Sequence, residues 1–155
     1  MGTKIILVIE DTKSIQEEIH DILTFEGLNV ITANDGQEGI DLAIKEKPDL
    51  ILCDIMMPIK DGFDVYSELQ HGDLRNTPFI FLTAKATTEN IREGMILGAD
   101  DYITKPFDLD LLVNSIKGRL AKDSQRRKYE EDKRKSLQIN ISQAIPHELL
   151  TPLNG

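Results

Sequence analysis

A single cysteine, Cys53, occurs in the 155 residues, and tryptophan is absent. One thiol excludes an internal disulfide and a cysteine-built metal cage. A reducing, cytoplasmic setting is the simplest fit. No run of about 18 apolar residues is present, so no segment reads as membrane-spanning. Met1 to Lys4 leads straight into an apolar stretch, without the long h-region or cleavage site of a signal peptide. Basic residues are scarce: 18 against 27 acids, a net charge of −9. That is the wrong sign for a nucleic-acid partner. Fixed-period repeats and low-complexity tracts are also missing. What is there is a 40% apolar content, enough for a packed core, in a length that suits one ordinary domain with something short attached.

The charge is unevenly spread. Residues 1–116 hold 22 acids and 9 bases, residues 117–135 hold 4 acids and 9 bases, and residues 136–155 add only Glu148. Two regions of different character therefore meet near residue 117.

Up to that point apolar strands and amphipathic helices alternate. Lys4 to Ile9 reads as a strand buried on both faces, and Ile15, Ile19, Ile22 and Leu23 follow at helical spacing until Gly27. Leu28 to Ala33 is the second strand, Gln37 to Lys45 the second helix, closed by Pro48, and Asp49 to Cys53 the third strand. Phe63 to Leu69 is helical, Pro78 to Leu82 a strand, Thr88 to Leu97 a helix, and Tyr102-Ile103 a short fifth strand. A last helix starts after Asp108 with Leu111, Leu112 and Ile116 inward. Strict alternation of this kind specifies an α/β fold, a doubly wound five-stranded parallel sheet with helices on both faces.

In such sheets ligands bind at the carboxyl ends of the strands. Strand one ends in Glu10-Asp11, strand three in Asp54, strand four in Thr83, and strand five is followed by Lys105-Pro106. With the flavodoxin-like strand order 2-1-3-4-5, strands one and three are neighbours and three carboxylates converge. So much negative charge needs a cation or raised pKa values. Oxygen ligands without nearby His or Cys favour a hard ion, Mg²⁺ or Mn²⁺. The ammonium of Lys105 and the hydroxyl of Thr83 add a positive centre and a donor, a set suited to a phosphoryl group held on one carboxylate. Cys53, in a buried strand, reads as packing.

Over about residues 3–121 the chain resembles the receiver domain of two-component response regulators, the CheY-like family. The motifs are Val8-Ile9-Glu10-Asp11, Asp54-Ile55-Met56-Met57-Pro58 with Asp61-Gly62, Leu82-Thr83-Ala84, and Gly98 to Phe107 with Lys105-Pro106. All four occur in order, each after its own expected strand. The resemblance implies Asp54 as phospho-acceptor, with Mg²⁺ held by Glu10, Asp11, Asp54 and the backbone carbonyl of Met56. It implies Lys105 pairing with the phosphoryl oxygens, Thr83 and Tyr102 as switch residues, small Ala84 leaving access for the donor, and a cis bond before Pro106. The donor would be a histidine kinase or phosphotransfer protein.

Residues 121–145 contain neither Gly nor Pro, so the last helix is expected to extend well past the domain. A heptad seam through Ile116, Leu120, Leu137, Ile141 and Ala144 suggests a homodimer, although Asp123, Arg127, Glu130 and Arg134 interrupt it. Ile145-Pro146-His147-Glu148-Leu149-Leu150-Thr151-Pro152-Leu153-Asn154-Gly155 resembles the H-box of histidine kinases. That likeness makes His147 a candidate phosphohistidine, with Glu148 able to take the ring proton. The expected organisation is a receiver domain over 1–121, a charged linker helix over 122–136, and over 137–155 the truncated start of a histidine kinase dimerisation helix. The parent would be a hybrid sensor kinase. This chain, with no ATP-binding domain, is not expected to be an active kinase.

Competing readings are weaker. A haloacid dehalogenase-type phosphatase needs an acid two residues after its nucleophile, where Met56 stands. A nucleotide-binding α/β domain needs glycines after strand one, and Glu10-Asp11-Thr12-Lys13-Ser14 has none. A stand-alone response regulator whose tail is only a protein-interaction helix is the remaining alternative.

Overall fold

The computed structural model describes residues 3–84 and 98–154, the backbone alone from 138 onward. The elements are β1 (Ile5–Ile9), α1 (Lys13–Phe25), β2 (Asn29–Ala33), α2 (Gly36–Glu46), β3 (Leu50–Asp54), α3 (Gly62–Leu69), β4 (Phe79–Thr83), β5 (Asp101–Thr104) and α4 (Leu109–Asn154). The expected helix over 88–97 lies outside the described residues. The strands form one parallel sheet in the order β2-β1-β3-β4-β5, the flavodoxin-like order expected.

Side chains on a strand alternate between faces, and both faces are covered. Leu7, Ile9, Ile51, Cys53, Phe79 and Phe81 pack with Ile40 and Ala43 of α2 and Val65, Tyr66 and Leu69 of α3. Ile6, Val8, Leu50, Leu52, Ile80 and Leu82 pack with Ile19 and Leu23 of α1 and Leu112, Val113, Ile116 and Leu120 of α4. This two-sided burial explains why β1, β3 and β4 read as unbroken apolar runs. On the first face Phe63–Phe81, Tyr66–Phe79 and Phe79–Phe81 meet edge to face with centroids 5.0–5.2 Å apart, and Tyr66 tilts against Phe81 at 5.9 Å.

Local chemistry sets several boundaries. Asp35 caps α2 by accepting the Glu38 N–H, and Asp61 and Asp64 form a reciprocal capping box on α3. Lys47 ends α2 in the left-handed conformation, one residue ahead of the expected stop at Pro48. Strands β3 and β4 begin and end one residue later than expected. Asp49 and Pro78 sit just ahead of them, and Asp54 and Thr83 are their final residues.

The chain divides into two compact units, Met1–Leu120 and Ala121–Gly155. Within the first, Ile116 is fully buried and Leu120 nearly so. That corrects the proposed heptad seam, because both residues are used against the sheet and are not available to a second helix. In the second unit residues 121–137 include no buried side chain. Asp123 pairs with Arg126 and Arg127 at 2.9 Å, and Glu131 with Lys135 at 3.3 Å. Leu137 is exposed, and the side chains of Ile141, Ala144, His147 and Glu148 lie outside those described. Among the described residues no helix is long and apolar enough to cross a membrane.

Candidate functional site

Parallel pairing of β1 with β3 sets Ile9 opposite Cys53, so the residues that follow, Glu10 and Asp54, emerge side by side. Glu10, Asp11 and Asp54 each place a carboxylate oxygen within 4.8 Å of the others. Glu10 and Asp54 are buried and Asp11 is exposed, which makes the cluster a shallow pocket open on one side. Lys105, which follows β5, reaches in from 95 residues away. Its ammonium lies 3.3 Å from Asp54 Oδ1 and is bonded to Glu10 Oε1. Glu10 Oε2 accepts the Thr12 N–H at 3.3 Å.

The electrostatics follow from this crowding. Burial, and then the adjoining Asp54 carboxylate, push the Glu10 pKa from its ordinary 4.5 up to about 7, against the opposing pull of Lys105. Burial, then the charges of Asp54, Glu10 and Asp61, push the Cys53 thiol up as well. Its Sγ–H donates to the Asp54 carbonyl at 3.3 Å, and it is a packing residue as expected.

The other sequence-chosen residues fall around this centre. Thr83 is buried at the end of β4, and its carbonyl accepts the Lys105 N–H at 2.7 Å. Ala84 is exposed beside it. The Lys105–Pro106 peptide is cis. Met56 lies in the loop after β3 with its side chain 68% exposed. Tyr102 lies on the outer strand β5, opposite Phe81 and two register steps from the Thr83–Thr104 pair, with its side chain 37% exposed. His147 and Glu148 fall in the helical backbone of the second unit.

One close approach keeps the loop in place. A Cβ on Gly62 would meet the Asp54 carbonyl oxygen at 2.6 Å, so only glycine lets α3 start against the end of β3.

Gln16, which is not among the expected site residues, also reaches the pocket. Its amide nitrogen donates to the Glu10 carbonyl at 3.0 Å, the Ala33 carbonyl at 3.2 Å and Asn34 Oδ1 at 3.0 Å. The available signal was a polar residue on the inner face of α1, spaced helically with Ile19 and Leu23.

Three carboxylates, a lysine and a buried hydroxyl at the ends of adjacent strands can hold a divalent cation and a phosphoryl group together. Comparison with known proteins points the same way. The model of the response regulator receiver domain matches residues 6–117. The transcriptional regulatory protein DltR of Streptococcus agalactiae is 44% identical over 119 residues, 77% of this chain and 53% of the relative. The response regulator ArlR of Staphylococcus aureus is 37% identical over 121 residues, 78% and 54%. The chain thus spans about half the length of the curated relatives it matches. Among solved structures, a CheY-like response regulator receiver domain protein from Methanospirillum hungatei superposes with a TM-score of 0.77. It is 30% identical and covers 81% of this chain and 99% of that one. The signal receiver domain of a signal transduction histidine kinase from Syntrophus aciditrophicus superposes at 0.72, with 32% identity, covering 77% and 91%. By fold, by the residues gathered at its strand ends and by these matches, the chain belongs to the response regulator receiver domain family of two-component systems.

Proposed function

We propose that the chain is a phosphorylation-controlled signalling module in which Asp54 takes a phosphoryl group from a phosphohistidine on a histidine kinase or phosphotransfer protein. A carboxylate oxygen of Asp54 attacks phosphorus, the P–N bond breaks, and its electron pair leaves with the imidazole, which takes up a proton. The observation that carries this reading is the placement of Asp54, next to two further carboxylates and 3.3 Å from a lysine.

The donor set fits a hard divalent cation. Glu10, Asp11, Asp54 and the backbone carbonyl of Met56 would hold Mg²⁺, or Mn²⁺ in its place. Bound there, the ion would supply charge neutralisation for the phosphoryl oxygens. Lys105, already drawn to Asp54, would pair with a phosphoryl oxygen. The Thr83 hydroxyl would follow the new anion, and Tyr102 would turn inward from its exposed position. Ala84, small and exposed, leaves room for the donor. The exposed Met56 supplies no general acid, which disfavours a dehalogenase-type phosphatase.

The test is phosphoryl uptake from acetyl phosphate with Mg²⁺, read by intact mass. One acid-labile group is expected on the parent chain and none on Asp54→Asn. Unchanged uptake by that variant would place the acceptor elsewhere.

For the tail, the reading is a charged linker over 122–136 followed over 137–155 by a kinase dimerisation segment carrying His147 and Glu148. The likeness of the receiver to one belonging to a histidine kinase supports it. The resemblance to DltR and ArlR supports the second reading, a stand-alone regulator with an interaction helix. Phosphorylation of His147 by a kinase supplied in trans separates them. A homodimer through the tail is tested by sedimentation of Ile141→Asp, which should weaken self-association while leaving uptake at Asp54 intact.

A further inference from the structure

Among the buried polar side chains, Gln16 is 2% exposed and belongs to none of the roles above. It sits in the first turn of α1, where its own N–H bonds the Thr12 carbonyl at 2.9 Å, and it faces the sheet. Its amide nitrogen has two protons and three acceptors in reach, so one N–H is shared. Its oxygen accepts from the Lys13 ammonium at 3.1 Å, which fixes the amide's orientation.

The acceptors matter for where they lie. The Glu10 carbonyl belongs to the peptide unit joining Glu10 to Asp11. That unit is planar, so holding its oxygen sets the direction in which both residues leave it. The Ala33 carbonyl, which Gln16 also holds, accepts the Glu10 N–H at 3.1 Å. Glu10 is therefore clamped on both sides of its Cα, and Gln16 takes part in both clamps. The third acceptor, Asn34, is tied to Glu38 through its own N–H and side-chain amide, at 3.2 and 3.3 Å. Gln16 thus links α1, the end of β1 and the end of β2.

We infer that Gln16 is a positioning residue for the cation pocket: it holds the Glu10–Asp11 peptide plane so that both carboxylates face Asp54 before the ion arrives. The inference rests on the reading that Glu10 and Asp11 are metal ligands. Three carboxylates within 4.8 Å repel one another. Without the amide, the Glu10 N–H still bonds Ala33 and Glu10 Oε2 still accepts the Thr12 N–H, but the carbonyl side of the Glu10–Asp11 plane loses its restraint, and the ion has to draw the carboxylates back into place. Partners one step behind the ligands contribute about 10- to 100-fold to metal affinity in comparable sites.

The experiment uses the full chain and two variants. Gln16→Met removes every side-chain hydrogen bond at similar length. Gln16→Asn keeps the amide but is one methylene too short to span both strand ends, so it decides the matter if the Met variant does not fold. Mg²⁺ binding to the unphosphorylated chain is measured by calorimetry. Phosphoryl uptake from acetyl phosphate is then followed over a Mg²⁺ series. The expected result is Mg²⁺ affinity weakened about 10-fold and a matching rise in the Mg²⁺ needed for half-maximal uptake, with the limiting rate at saturating Mg²⁺ within about twofold of the parent. Ile19→Val, a buried change on the same helix face, should lower stability and leave Mg²⁺ affinity alone. A folded Gln16 variant with parental Mg²⁺ affinity overturns the inference while the metal site stands. A parent chain that binds no Mg²⁺, or an Asp11→Asn variant that binds it as well as the parent, overturns the metal reading itself.

Discussion

Strand β3 carries an aspartate at each end. Ahead of its first residue, Asp49 accepts the Ile5 N–H on Oδ2 at 2.7 Å and donates its own N–H to the Ile5 carbonyl at 2.8 Å. At its last residue, Asp54 stands among Glu10, Asp11 and Lys105. Asp100 repeats the first arrangement before β5. Its Oδ2 accepts the Phe79 N–H at 2.7 Å, its N–H bonds the Phe79 carbonyl at 3.0 Å, and Arg119 donates to its carbonyl at 3.2 Å. At the amino edge of the sheet a carboxylate therefore completes backbone hydrogen bonding at the start of a neighbouring strand. At the carboxyl edge three carboxylates face one another. One edge is a clamp and the other a charged pocket whose three carboxylates share a single lysine, an excess of negative charge that costs stability until a cation enters it.

The sharpest break between the edges is chemical. Asp54→Asn should abolish phosphoryl uptake from acetyl phosphate, whereas Asp49→Asn should leave its rate within about twofold, since Asp49 acts through the backbone at the far edge. Intact mass over time reads both.

The next contrast is in pH. Glu10 titrates at about 7 in the folded chain against an ordinary 4.5. Between those values the folded state keeps a proton that the unfolded state releases. Stability in metal-free buffer should therefore fall as pH rises from about 4.5 to about 7 and level off above, by something on the order of 3 kcal/mol from this group. Glu10→Gln, which cannot ionise, should flatten that slope. Urea unfolding at pH 5 and pH 8 measures it, and an unchanged slope would remove Glu10 as its source.

The amino edge should respond in the opposite sense. Asp100→Ala leaves the buried Phe79 N–H without its partner and should cost about 2 kcal/mol, while Asp11→Asn in metal-free buffer should be neutral or stabilising. The smallest effect is expected at Ile59, in the loop leaving the pocket. It is a β-branched residue at φ 70°, with its side chain 98% exposed. Ile59→Asn should raise stability by about 1 kcal/mol through relief of left-handed strain, without altering uptake. A loss of uptake there would mean that the loop contributes to the pocket.

Much of this was readable from residue order. The alternation of apolar strands and amphipathic helices identified the sheet, and the acids, threonine and lysine at or just past the strand ends pointed to the pocket. Gln16 was not readable, because a glutamine on an apolar helix face shows its purpose only when two strand ends meet above it. Nor was the use of Ile116 and Leu120. At heptad spacing they resemble a helix–helix seam, and only packing against Leu50, Leu52, Ile80 and Leu82 shows that the sheet claims them. Lys47 closed α2 where Pro48 was expected, a choice made by backbone conformation at a residue type that does not announce it.

By itself, then, the order of amino acids determined which segments are strands, that they lie parallel with both faces buried, and that acids cluster where the strands end. These follow from patterns a few residues long, since side chains alternate along a strand and recur every three or four residues on a helix. What each acid touches was decided only in three dimensions. Asp49 and Asp54 are the same residue five positions apart. One meets the N–H of Ile5, 44 residues away, and the other meets Lys105, far along the chain after β5. Hydrogen-bond partners and charge neighbours are set by strand register and helix docking, and those exist only once the sheet has formed.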